Sequence, residues 1–257
     1  MAEIAEAPVH TVRLAGGLLG VALGGFFDGI LLHQILQWHH LLSAIDPANA
    51  RMQVMADGLF HLLMYLLALV GLWQLWRVAR RARVPTAPLV VALLAGFGAW
   101  HLVDAVMSHW LLGIHRIRMD TPSPLLWDLL WLAGFGIGPL VAAIWISRTP
   151  RAPGGGASSA TLGLIAVLVA GAGYQTLQSP ADGEFTTILL LPGSTSSTLF
   201  STAASVDARV AWTDASGLLA VLAHPPGERA SLRLLAHGAL ALDSAFLPAG
   251  CFSWLRS

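Results

Sequence analysis

The sequence contains one cysteine, Cys251, and no lysine. A single cysteine excludes an intrachain disulfide framework and any cysteine-rich zinc or iron–sulfur site. Charge is scarce. Charged residues make up 11% of the 257-residue chain, against roughly a quarter in ordinary globular domains. Arginine supplies every basic side chain, and the formal net charge is zero, so the chain has no electrostatic footprint for nucleic acid. No GxSxG, Walker or CxxCH motif occurs. Nucleophilic hydrolysis, phosphate cradling and c-type haem attachment therefore lack support. What the chain has in their place is hydrophobic residues, at 56%, and ten histidines. So many imidazoles in so apolar a chain (mean hydropathy +0.68) is the feature that needs explaining.

Crossing a bilayer as a helix takes about 20 apolar residues. Five stretches qualify, at 13–41, 53–77, 87–113, 125–147 and 158–178. The first is not a cleavable signal, because Asp28 and the histidines continue its helix and no small-residue cleavage site follows. Arginines cluster after the second span (Arg77, Arg80, Arg81, Arg83) and after the fourth (Arg148, Arg151). The positive-inside bias then puts the N-terminus in the cytoplasm and the C-terminus outside, although Arg116 and Arg118 lie on the outer side of this arrangement. The expected fold is a membrane all-α bundle over residues 1–180, with four of five spans forming a histidine-rich bundle. It is followed by a small extracytoplasmic α+β domain over 181–257. In that second part "TTILLLP", "STSSTLFSTAAS", "RVAWTD", "GLLAVLA", "GERASLRLLAHG" and "ALALDS" read as βαββαβ, the ferredoxin-like order.

The polar groups of the first four spans fall in one layer. At a rise of about 1.5 Å per residue, Asp28, His33, His39, His40, Asp57, His61, His101, Asp104, His109 and His115 all lie in the outer halves of their helices. Treated as regular α-helix, His33, Gln37 and His40 share a face and Asp57 stacks on His61. His101, Asp104, Ser108 and His115 form a stripe, with His109 a quarter-turn away. Asp128 reads as an N-terminal helix acid, and Trp38, Trp100, Trp110 and Trp127 as interface or packing aromatics. His10, His224 and His237 lie outside the layer. Ionisable groups in a bilayer are costly and face one another inside the bundle. Imidazoles interleaved with carboxylates that orient them are what a metal site needs.

At "GGFFDGILLHQILQWHHLLS", "DGLFHLL" and "HWLLGIHRIR" the sequence resembles an uncharacterised family of bacterial membrane proteins, known only as a domain of unknown function. The resemblance implies roles for Asp28, His33, Gln37, His39, His40, Asp57, His61, His109 and His115. His101 stands where that family has asparagine, and Asp104 where it has glutamate. It also implies a bacterial inner membrane location and gene neighbours that assemble copper oxidases.

Two functional readings follow. The first is a transition-metal protein with an outer-leaflet polyhistidine/carboxylate site, handling copper or assisting respiratory oxidase assembly, with the oxidase or a copper chaperone as partner. Copper(II), iron and zinc all accept imidazole, and the sulfur here is limited to methionines such as Met52, Met55, Met64 and Met107. The second is a membrane redox enzyme with a dinuclear iron or copper centre or a b haem. A proton-coupled carrier is disfavoured, because the inner halves of the spans offer no polar path.

Overall fold

The computed structural model of the protein describes residues 5–36, 38–47, 49–150, 156–176, 185–223 and 233–242. Gln37, His224 and Cys251 lie outside them. Helix α1 (Val9–Asp28) continues directly into a π-helical segment, Gly29–Ile35. Helix α2 spans Ala50–Ala79, and α3 (Thr86–Val103) again continues into a π-helical segment, Asp104–Leu111. Helix α4 (Pro124–Trp131) passes through Leu132–Ile137, also π-helical, into α5 (Gly138–Arg148). Helix α6 spans Ser159–Thr176. Among the described residues, five helical stretches are long and apolar enough to cross a membrane: Val9–Ile35, Arg51–Ala79, Thr86–Leu111, Pro124–Arg148 and Ser159–Thr176. The first ends six residues earlier than its apolar run implies, and residues 38–40 are not helical.

The chain divides into two compact units, Met1–Gly29 with Phe60–Gly173, and Ile30–Leu59 with Tyr174–Ser257. In the first unit, small residues set the helix spacing. A Cβ on Gly20 would collide with the Leu93 carbonyl, and one on Gly96 with the Gly17 carbonyl, so α1 and α3 run parallel in direct backbone contact. Gly25 abuts Met64 and Gly71 abuts Leu19, which makes α1 and α2 an antiparallel pair. Gly98 and Gly136 do the same for α3 with the α4–α5 helix. Leu62, Leu66, Leu69 and Trp73 on α2, Val141 and Trp145 on α5, and Val167 and Leu168 on α6 point outward. So much exposed apolar surface suits acyl chains and not water.

One end of this unit is tied together by backbone. Arg83 donates its amide to Ala5 and accepts from Ala7, and Ala157 donates to Val84. At the same end the Arg77 and Arg80 guanidinia lie over Trp73 and Trp76.

The second unit holds a four-stranded antiparallel sheet. Strands β1 (Phe185–Leu190), β2 (Arg209–Thr213), β3 (Leu219–Ala223) and β4 (Ala239–Leu242) lie in the order β2-β3-β1-β4. Helix α7 (Ser196–Ala204) joins β1 to β2 and starts in a capping box between Thr195 and Thr198. Helix α8 (Arg233–Ala236) precedes β4, with Gly238 at positive φ in the turn. Ile188, Leu190, Leu199, Leu222 and Leu234 form the core of this sheet.

Candidate metal centre

All ten candidate ligands are buried: Asp28, His33, His39, His40, Asp57, His61, His101, Asp104, His109 and His115. In a membrane protein that arrangement makes sense only if they answer one another. The helix type decides which of them meet. A π-helix bonds i to i+5, so its wide turn brings Asp104 beside His109, five residues on. The quarter-turn separation expected of a regular α-helix is thereby corrected, because the segment Asp104–Leu111 is not α-helical.

In the first unit, His109 Nε2 lies 3.1 Å from Asp104 Oδ2 and His115 Nε2 lies 3.6 Å from Asp104 Oδ1. The two imidazole rings are 4.8 Å apart, near perpendicular. One ligand atom from each of the three residues fits within 4.8 Å of the others. Neither His109 nitrogen makes an aligned hydrogen bond among the described residues, although carboxylates sit beside both. Two donors on one tetrahedral ion, each about 2.1 Å from it, stand about 3.4 Å apart and off each other's axes. The distances of 3.1 and 3.6 Å, which run to the two different oxygens of Asp104, are of that order.

Behind His109, its Nδ1 lies 3.0 Å from Asp128 Oδ1. Asp128 is fully buried and is no helix-terminal acid with its side chain in water. It accepts from Arg116 Nη1 at 2.7 Å, from the Ile117 amide at 3.1 Å and from Trp110 Nε1 at 3.3 Å. Trp110 is therefore a hydrogen-bond donor to this carboxylate as well as an aromatic. Further along the loop, Arg118 Nε donates to Asp120 Oδ1 at 2.7 Å. That bond lowers the Asp120 carboxyl below its ordinary pKa and raises the guanidinium. The pair is largely exposed and adds little stability.

The second unit holds another cluster. His40 Nδ1 makes a 2.6 Å hydrogen bond with Asp57 Oδ2, the Leu41 amide donates to Asp57 Oδ1 at 2.9 Å, and His33 Nδ1 is 3.5 Å from Asp57 Oδ1. The His33 ring is 4.8 Å from that of His39 and 5.8 Å from that of His40. His33, His40 and Asp57 also bring ligand atoms within 4.8 Å of one another. His33 and His40 thus meet at a common carboxylate, although no single helical face carries them.

His61 is placed differently. Its Nε2 presses on the Gly29 backbone, where a Cβ would not fit. His101 sits in an aromatic box of Phe27, Phe97, Trp131 and Phe135, with Trp131 Nε1 donating to its Nδ1 at 3.1 Å. Neither is brought into the two histidine–aspartate clusters just described. His237 is exposed.

Sequence reasoning missed Arg116 and the central place of Asp128. One signal for them was present. Asp104, His109 and Arg116 follow at the same intervals as Asp28, His33 and His40.

These features define a membrane protein with, among the described residues, five apolar helices and buried histidine–aspartate clusters able to hold a metal ion. The chain belongs to the family described as "Predicted membrane protein (DUF2243)", which matches residues 15–150. That match includes every buried histidine and aspartate named above and ends before α6 and the small sheet. No curated protein and no solved structure matches the chain.

Proposed function

We propose that the protein binds a transition metal, with copper(II) the best fit, on the extracytoplasmic side of a bacterial inner membrane, and that it serves copper handling or the assembly of a respiratory oxidase. The observation that carries this reading is the Asp104–His109–His115 cluster. Its donors are buried, lie within 4.8 Å of one another, and are backed at His109 by a carboxylate that three donors hold in place. Imidazole and carboxylate without thiolate suit copper(II) or zinc, and at equal geometry copper(II) binds such donors more tightly.

The arginines at the end where residues 5–7, 83–84 and 157 are joined favour that end as cytoplasmic. The 112–123 loop, and His115 with it, then lies outside. The sheet order β2-β3-β1-β4 is the order a split βαβ generates, which supports a ferredoxin-like extracytoplasmic domain over 181–257.

Elemental analysis of protein purified in mild detergent after exposure to copper(II) tests the reading. Stoichiometric copper is expected, lower in His109→Ala and unchanged in His237→Ala. Metal-free wild type, or equal copper in both variants, would refute it.

A further inference from the structure

An offset of 76 residues carries Asp28 to Asp104, His33 to His109, His39 to His115, His40 to Arg116 and Leu41 to Ile117. The contacts repeat with the spacing. The Leu41 amide donates to Asp57 Oδ1 at 2.9 Å, and the Ile117 amide to Asp128 Oδ1 at 3.1 Å. His40 reaches Asp57 Oδ2 at 2.6 Å, and Arg116 reaches Asp128 Oδ2 at 2.7 Å. His33 Nδ1 stands 3.5 Å from Asp57 Oδ1, and His109 Nδ1 stands 3.0 Å from Asp128 Oδ1. His33–His39 and His109–His115 have the same ring separation of 4.8 Å. Both α1 and α3 end in a π-helical segment bearing the first of these histidines. The α1–α3 seam is reciprocal at the same offset: Gly20 meets the Leu93 carbonyl and Gly96 meets the Gly17 carbonyl. Chance does not reproduce oxygen-for-oxygen pairing of residues at a constant offset of 76 with two carboxylates, Asp57 and Asp128, that themselves stand 71 apart.

We infer that α1–α2 and α3–α5 are tandem copies of one two-helix unit, and that each copy holds its own metal ion, so the chain binds two. This rests on the metal-binding reading. In each copy a carboxylate on the second helix, Asp57 or Asp128, braces the Nδ1 side of a histidine at the end of the first helix. The Nε2 side of that imidazole then serves the ion. The copies have diverged at one position. His40 and Arg116 both hold the bracing carboxylate, but an imidazole can be neutral whereas Arg116 is always protonated. Arg116 keeps the brace on Asp128 and adds a permanent cation behind His109. The second copy, through Asp104, His109 and His115, therefore binds its ion more weakly.

Copper(II) titration of the full-length protein in detergent, with bound metal counted after desalting, tests the inference. Two ions per chain are expected in the wild type, one in His33→Ala, one in His109→Ala, and none in the double variant. A wild-type count of one, or the loss of all metal from either single variant, would overturn the two-site assignment while leaving metal binding intact. A wild-type count of zero would instead defeat the metal-binding reading itself. Arg116→His supplies a test that does not depend on removing a ligand. It should retain two ions and tighten the weaker class about tenfold, within the range that partners of metal ligands command. An unchanged weaker class would overturn the assigned divergence.

Discussion

His109 shows how one side chain is made to serve a metal. Its ring lies between two carboxylates, Asp104 at 3.1 Å and Asp128 at 3.0 Å, with neither aligned for an ordinary hydrogen bond. His101 is used differently: its Nδ1 accepts from Trp131 Nε1 at 3.1 Å, with that ring edge-on to its own and no carboxylate bonded to it among the described residues. Metal binding needs neutral imidazole, so protons compete with the ion. The sign follows directly: affinity falls as pH drops. Lowering pH from about 7.5 to 5.5 should weaken copper(II) binding more steeply than one proton would, because each ion takes at least two imidazoles. Isothermal titrations at four or five pH values will measure the slope, and a flat profile with metal still bound would contradict an imidazole site.

At the scale of helices, the five apolar spans were legible because bilayer thickness demands runs that ordinary loops do not contain. The alternation in "RVAWTD" and the turn residues around the other strands likewise announced the small sheet. The π-helical segments were not legible. Apolar periodicity in a helix hydrophobic on most sides does not distinguish 3.6 residues per turn from a wider turn, so the facing of Asp104 and His109 was lost. Asp128 was misjudged for a related reason. Position near a helix start is a local cue, while its partners Arg116 and Ile117 come from the preceding loop. The glycines lend themselves to a sharper test. Nothing lies within 4 Å of a Cβ on Gly17, whereas a Cβ on Gly96 strikes the neighbouring backbone. Gly96→Ala should cost about 1–3 kcal/mol through overpacking, seen as a fall of several degrees in thermal unfolding in detergent. Gly17→Ala should be neutral or gain up to about 1 kcal/mol of helix propensity. Equal behaviour of the two variants would argue against the close seam.

For the whole molecule, the backbone ties among residues 5–7, 83–84 and 157 gather the first unit's loops at one end, and the arginines lie with them. A reporter fused near Arg81 should be active only inside the cytoplasm and one fused after Ser257 only outside. Reversed activity at either fusion would remove the outward-facing reading of the site. The reciprocal contact of Gly20 with the Leu93 carbonyl and Gly96 with the Gly17 carbonyl has the pattern of an isologous interface, the kind that joins two subunits of a symmetric dimer. In a homodimer, one codon change alters both subunits together. With both halves on one chain, that constraint is gone. His40 and Arg116 show the freedom in use: one half holds its bracing carboxylate with an imidazole, the other with a permanent cation, and the seam between them is the same from both sides.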